Sequence, residues 1–127
     1  NISNNTKDYL DLMSRNLKLL KKNKNFLDKE LEKNIYFYDK DHLIDLNNLY
    51  FIIDTKYKFQ DFSENLKRIL NSKTHKFKID GKYLLDNGMK QGALMGEVLK
   101  KVEEEWIKNN FKITKYQIQE IIRIYSN

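Results

Sequence analysis

Four glycines and the lysines between them are the residues of this chain whose spacing could do chemistry. Gly81, Gly88, Gly92 and Gly96 fall within one sixteen-residue window, and the other 111 positions hold neither glycine nor proline. Glycine adopts turn conformations that other residues avoid, and it lets a second backbone or a ligand approach closely. The window therefore predicts a tight turn that a ligand can reach.

This turn is predicted to connect two helices and to present backbone N–H groups to an anion. Asp80 is a typical N-cap for a short helix, and Gly88 suits the left-handed position that ends it. A long helix is then predicted to begin at Gln91 or Gly92, where the first N–H groups have no intrahelical partner and the helix dipole is positive. With Lys90 beside that start, phosphate is the expected ligand.

Two interpretations of the glycines stay open. Gly96 borders the apolar stripe of the long helix, where close packing of two helices explains it better than ligand contact does. Gly88 is explained by turn geometry whatever binds there. Phosphate contact is expected first at Lys82, Lys90, Gln91 and Gly92.

Positive charge is concentrated in the second half of the sequence. Residues 64–127 hold 13 Lys and Arg against 8 Asp and Glu, whereas residues 1–63 hold 11 against 10. Such a surface favours a polyanion, either nucleic acid or an anionic membrane, although lysine also serves solubility alone. Lys76 and Lys78 are expected to add diffuse attraction, and Lys100 to reach the ligand if the long helix lies along it.

Composition disfavours other chemistries. The chain has no cysteine, and His42 and His75 have no partner at ligand spacing, so both are interpreted as ordinary surface histidines and no metal site is expected. The longest apolar run, residues 49–53, is far too short to span a bilayer. A soluble protein is therefore expected. The chain begins at Asn1 without an initiator Met or a signal-like segment, which favours an excised fragment. An intracellular location is expected, and the compartment (cytoplasm, nucleus or an organelle) stays open.

Apolar residues recur at helical spacing, which predicts an all-α small bundle of about six to seven helices. Residues 1–72 are predicted to form a helical body segment, and residues 73–127 a tail with a helix-turn-helix-like glycine turn and two C-terminal helices. The expected helices are one capped by Thr6, one through Leu27, Leu31 and Ile35, those near 41–54 and 59–71, the short helix after Asp80, the long helix to about Asn109, and a last helix with a Thr114–Gln117 capping box.

The glycine window and its surroundings resemble a known enzyme family. The segments that carry the resemblance are FKIDGKYLL at residues 77–85, GMKQGALMG at residues 88–96, and Trp106 with Asn110 and Phe111. They are similar to the C-terminal region of CCA-adding tRNA nucleotidyltransferases, over about residues 75–125. The family's usual proline in the turn is replaced here by Lys90 or Gln91. Residues 1–63 carry no motif and correspond by position to the helical body.

The resemblance implies an enzyme that restores CCA to tRNA 3′ ends from CTP and ATP with Mg²⁺, of which this chain holds the body and tail. The catalytic head needs a Gly-x-Asp-x-Asp motif, and no glycine here stands in one. The chain alone is therefore expected to have no catalytic residue and no cofactor, and to bind tRNA as a monomer. The family's Glu-Asp-x-x-Arg motif has only a partial counterpart at residues 64–68, where an ordinary helical Glu64–Arg68 ion pair is the better explanation.

Two functions of other classes remain as alternatives. A generic helix-hairpin-helix module would share the glycine turn and would bind duplex DNA at least as well as tRNA. A helical protein-interaction bundle would use its lysines for solubility only.

Overall fold

The computed structural model describes the backbone of residues 2–126 and the side chains of residues 5–126. Within that part of the chain there are seven α-helices and no strand, which confirms the predicted all-α fold. The chain divides into two compact units, Asn1–His75 and Lys76–Asn127. The helices of the first unit are α1 (Ile2–Lys22), α2 (Leu31–Tyr38), α3 (Lys40–Ile53) and α4 (Phe59–Asn71), and a 3-10 helix (Lys24–Leu27) lies between α1 and α2.

The first unit is built around the apolar stripes that the spacing predicts. Leu43, Leu46 and Ile69 are fully buried, and the core also contains Met13, Leu20, Phe26, Leu27, Leu31 and Ile35. Helix α1 begins at Ile2, so the prediction that Thr6 caps it is wrong, and Thr6 lies inside the helix. Serine and asparagine favour caps and turns, but each costs less than about 1 kcal/mol inside a helix, so the polar residues ahead of Thr6 do not force a stop.

The helix expected through Leu27, Leu31 and Ile35 is divided in two. Asn23 accepts a hydrogen bond from the backbone N–H of Asn25 and so caps the 3-10 helix that ends at Leu27. Helix α2 then begins anew at Leu31. An asparagine side chain that satisfies nearby backbone groups competes with continuous helix, which explains the break.

Arg68 joins α4 to the 3-10 helix instead of pairing with Glu64. Its guanidinium donates to the carbonyl of Leu27 at 3.1 Å and to Asn65 Oδ1 at 2.6 Å, and it lies 3.9 Å from Asp28 Oδ1. The predicted Glu64–Arg68 ion pair is therefore wrong, because a tertiary carbonyl and a nearer amide take the donors.

His42 is buried, so its interpretation as a surface histidine is wrong. Asn16 Nδ2 lies 3.0 Å from His42 Nε2, and the ring packs against Tyr9 and Tyr38. Because the Asn16 amide donates, Nε2 accepts and the ring proton sits on Nδ1, which has no partner in the described part of the chain. Burial lowers the pKa of His42, and the nearby carboxylates of Asp39 and Asp45 oppose that shift only in part.

The stability of the first unit is expected to fall on mild acidification. A lowered pKa in the folded state means that stability is complete above the ordinary histidine pKa of about 6.5 and is lost as the pH falls below it, since the unfolded chain takes up the proton first. The loss approaches about 1.4 kcal/mol per pH unit for one proton. Urea unfolding at pH values from about 7.5 to about 5 measures this loss of unfolding free energy. Most carboxylates titrate below roughly that range.

His42→Gln and His75→Gln form the matched pair for this measurement. The first substitution should flatten the pH dependence, and the second should leave the part due to His42 in place, since His75 is half-buried outside the core, 2.9 Å from Glu32 Oε1. Equal profiles for wild type and His42→Gln would contradict the argument.

The second unit contains α5 (Gly81–Asp86), α6 (Met95–Lys108) and α7 (Lys115–Ser126). Its core is formed by Leu84, Met89, Val98, Val102, Ile118, Ile121 and Ile122. The capping box of α7 is confirmed, since Gln117 N–H donates to Thr114 Oγ1 at 3.1 Å and Thr114 N–H donates to Gln117 Oε1 at 2.9 Å. These reciprocal bonds satisfy donors that a helix start leaves unpaired.

Candidate nucleic-acid interface

The short helix and the turn after it form as the local sequence predicts. Asp80 Oδ1 accepts from the N–H of Tyr83 at 2.9 Å and caps α5. Gly88 has a φ of 100°, and the N–H of Met89 returns to the carbonyl of Leu84 at 3.0 Å. These bonds make a Schellman motif, in which a left-handed residue closes the helix and the flanking apolar residues pack together. Leu84 and Met89 are both buried in the core of this unit.

Gly81 is the glycine that packs closely against a second helix. A Cβ at Gly81 would lie 2.8 Å from Met95 Sδ, so that flexible side chain would have to shift, whereas a Cβ at Gly92 or Gly96 would meet no described atom within 4 Å beyond its own neighbouring residues. The prediction that Gly96 serves packing is therefore wrong. The contact at Gly81 also holds the start of α5 against the start of α6, and the backbone at Gly92 and Gly96 is left exposed.

Helix α6 begins later than predicted, at Met95 instead of Gln91 or Gly92. The N–H of Met95 donates to the carbonyl of Gly92 at 3.3 Å, so Gly92 lies in a turn before the helix and points its carbonyl at the helix start. The predicted helix start is therefore wrong by three to four residues, and phosphate contact at Gln91 and Gly92 stays a prediction. The unpaired first-turn N–H groups belong to the residues after Met95, where Glu97 brings a carboxylate that itself favours the positive end of the dipole.

All seven residues predicted to contact RNA are exposed, but the structure brings only some of them together. Lys82 stands in the first turn of α5, beside the Gly81–Met95 contact. Lys90, Gln91 and Gly92 form the turn between α5 and α6, and Lys100 lies about 7.5 Å along the α6 axis from Met95 at about 1.5 Å per residue. Lys76 and Lys78 lie in the non-helical segment before α5.

That non-helical segment forms one side of a cavity of about 370 Å³, which we call the aromatic groove. Its lining consists of Lys76, Phe77, Lys78, Ile79, Trp106, Phe111, Lys112 and Ile113. Three lysines and three aromatic rings thus share one surface, and no carboxylate belongs to its lining. The combination is typical of sites that bind a phosphate and stack a ring.

The groove owes its shape to the way α6 ends. The N–H of Phe111 donates to the carbonyl of Trp106 at 2.7 Å, and the N–H of Asn110 donates to Ile107 at 3.1 Å. Asn110, with a φ of 59°, supplies the left-handed residue of this second Schellman motif. The rings of Phe111 and Trp106 meet edge to face at 5.0 Å, and Phe77 lies 5.2 Å from Trp106 on its other side.

Phe111 itself has a φ of 63°, although the motif requires only one left-handed residue. A residue held there costs of the order of 1–3 kcal/mol, and such strain is commonest at functional sites. Lys112 and the role of Phe111 are what sequence reasoning missed. Asn110 was the available signal, since asparagine enters the left-handed region more readily than other side chains.

Net charge does not distinguish the two units. Residues 76–127 hold ten Lys and Arg against seven Asp and Glu, and residues 1–75 hold fourteen against eleven, so each carries a net charge of +3. The excess seen in the second half of the sequence depends on where the chain is divided. The placement of lysines in the groove and beside the glycine turn is therefore more informative than the total.

Metal binding finds no support in residues 2–126, where no group of three or more histidine or acidic side chains could hold an ion. No helix within residues 2–126 has the length and the apolar character that crossing a membrane requires.

The fold and the surface define an all-α module with an exposed glycine turn and a lysine-lined aromatic groove. The chain belongs to the tRNA nucleotidyltransferase domain 2 family, whose model matches residues 1–122. The match confirms the resemblance to the C-terminal region of a tRNA nucleotidyltransferase and extends it through the first 63 residues, which carry no motif of their own. Comparisons with curated proteins and with solved structures gave no significant match.

Proposed function

We propose that this chain is the tRNA-holding body and tail of an enzyme that adds CCA to tRNA 3′ ends, and that it grips the tRNA through backbone phosphates. The family match over residues 1–122 is the observation that carries the proposal. A domain of a tRNA nucleotidyltransferase outside the catalytic head has to hold the substrate while the head acts on its 3′ end. Phosphate contacts suit that role because they position a helix without reading its sequence.

The exposed lysines of the second unit supply the charge. Lys82 lies in the first turn of α5, Lys90 in the turn before α6 and Lys100 in the second turn of α6. The exposed backbone at Gly92 and Gly96 leaves room for a sugar-phosphate chain to approach. Each neutralised phosphate releases condensed counterions, which is the main source of affinity in such contacts. Gln91 adds an amide donor in the same turn.

The chemistry of nucleotide addition belongs in this proposal to a separate head. Mg²⁺, CTP and ATP would be bound there, because the residues described in this chain do not fit a metal site. The 127-residue chain would therefore bind tRNA without incorporating nucleotides. We propose that it does so as a monomer.

Competition between tRNA and duplex DNA tests the proposal against both alternatives. The probe is fluorescently labelled tRNA bound by the chain, and the competitors are unlabelled tRNA and a DNA duplex with the same number of phosphates. We expect the DNA to compete several-fold more weakly, because A-form RNA offers a different groove geometry and 2′-hydroxyls.

Equal competition by DNA would favour the helix-hairpin-helix module and contradict the tRNA proposal. An absence of tRNA binding would leave the lysines with a role in solubility only and would favour the protein-interaction bundle.

A further inference from the structure

We infer that the aromatic groove takes a single unpaired nucleotide of the bound RNA, with the base against Phe111 and the phosphate among Lys76, Lys78 and Lys112. This inference rests on the proposed function and assigns it a second contact, separate from the phosphate contacts at the glycine turn. The size, the charge and the aromatic rings of the groove support this assignment.

The size and charge of the groove fit one nucleotide. Its volume of about 370 Å³ lies at the small end of the range for ligand sites, which begins near 300 Å³. All three lysines are exposed and lie on two chain segments that meet at the cavity, so an anion between them contacts both segments. The carbonyl end of α6 repels anions, and therefore the phosphate has to lie at the lysines and not at the helix.

The aromatic rings explain why a base, and not a phosphate alone, is the better occupant. Phe77 and Phe111 each contact the ring of Trp106. Trp106 is buried, whereas Phe77 and Phe111 are half-buried. A partly exposed ring beside lysines is the arrangement that stacks bases in single-stranded nucleic-acid sites. A base within a duplex cannot reach such a ring, so the occupant has to be unpaired.

The backbone holds Phe111 at the groove at a cost in conformational free energy. Its left-handed conformation is additional to what the end of α6 requires, and the bond from its N–H to Trp106 holds the ring in place. Strain of this kind persists where the surroundings determine the position of a side chain. A ring fixed in advance loses little freedom when a base stacks on it.

Two RNA probes test the inference with the 127-residue chain: a blunt RNA duplex, and the same duplex with one unpaired adenosine. The wild type should prefer the bulged duplex roughly tenfold, which is within the range for stacking one base on an aromatic side chain. Phe111→Leu keeps an apolar side chain and should abolish that preference while leaving affinity for the blunt duplex unchanged. Lys112→Ala should weaken binding of the bulged duplex more than that of the blunt one.

Tyr116→Leu and Lys115→Ala are the matched controls, since both residues are exposed and neither lines the groove. They should leave the preference unchanged. Equal affinity of the wild type for the two probes, or a preference that survives Phe111→Leu, would overturn the inference while binding of the blunt duplex still upholds the proposed function.

Discussion

Leu84→Ala should unfold most of the second unit at room temperature. Leu84 is fully buried at the centre of that unit's core, and it is also the residue where the Schellman motif of α5 returns to the helix. Truncating a buried leucine costs about 2–5 kcal/mol, which is comparable to the whole stability expected for a unit of about fifty residues. Urea unfolding followed by Trp fluorescence measures it, because Trp106 is the single tryptophan of the chain and lies in this unit.

Leu85→Ala is the matched control for this change. Leu85 is the next residue of the same helix but is 40% exposed, so its truncation should cost less than about 1 kcal/mol. Similar fluorescence midpoints for the two variants would show that Leu84 does not organise the core as described. Loss of tRNA binding in Leu84→Ala but not in Leu85→Ala would tie the proposed function to the folded second unit.

The triple variant Lys82→Glu, Lys90→Glu and Lys100→Glu should reduce tRNA affinity by roughly 100-fold or more at 0.1 M salt. Each phosphate contact contributes a salt slope of about 0.9, which corresponds to about eightfold in affinity between 1 M and 0.1 M salt. The thermal unfolding midpoint should change little, since all three side chains are exposed. Fluorescence anisotropy of labelled tRNA measures the affinity.

The control applies the same change of charge to α1, as Lys7→Glu, Lys18→Glu and Lys21→Glu. These three lysines are also exposed, but they belong to the first unit. A smaller loss of affinity is expected for this variant, because its lysines are far in sequence from the glycine turn. Equal losses in the two variants would mean that tRNA responds to net charge alone, and the assignment of contacts to the glycine turn would be wrong.

Local sequence rules predicted the ends of helices where a side chain closes them. Asp80 and Thr114 form the expected caps, and Gly88 takes the left-handed position, because each of these bonds joins residues only a few positions apart. The start of α6 was predicted too early because no side chain caps it. Gln91 to Leu94 include no capping side chain, and the helix start is set by a backbone bond to Gly92 that residue types do not reveal.

Tertiary placement accounts for the other errors. His42 shares a helical face with Leu46, four residues later, so its burial had a signal in the spacing that its polar character hid. Gly81 and Gly96 could be told apart only after α5 and α6 were placed together. The aromatic groove joins Lys76 to Lys112, which are 36 residues apart in the sequence, and no local pattern links them.

The salt dependence of tRNA binding by the 127-residue chain tests the central claim most directly. If the chain holds tRNA by about six backbone phosphates, a plot of log affinity against log salt should be linear with a slope of about −5. The triple variant at Lys82, Lys90 and Lys100 should reduce that slope to about −2, one contact for each lysine. A flat plot for the wild type would contradict the account, because the exposed lysines would then make no phosphate contacts.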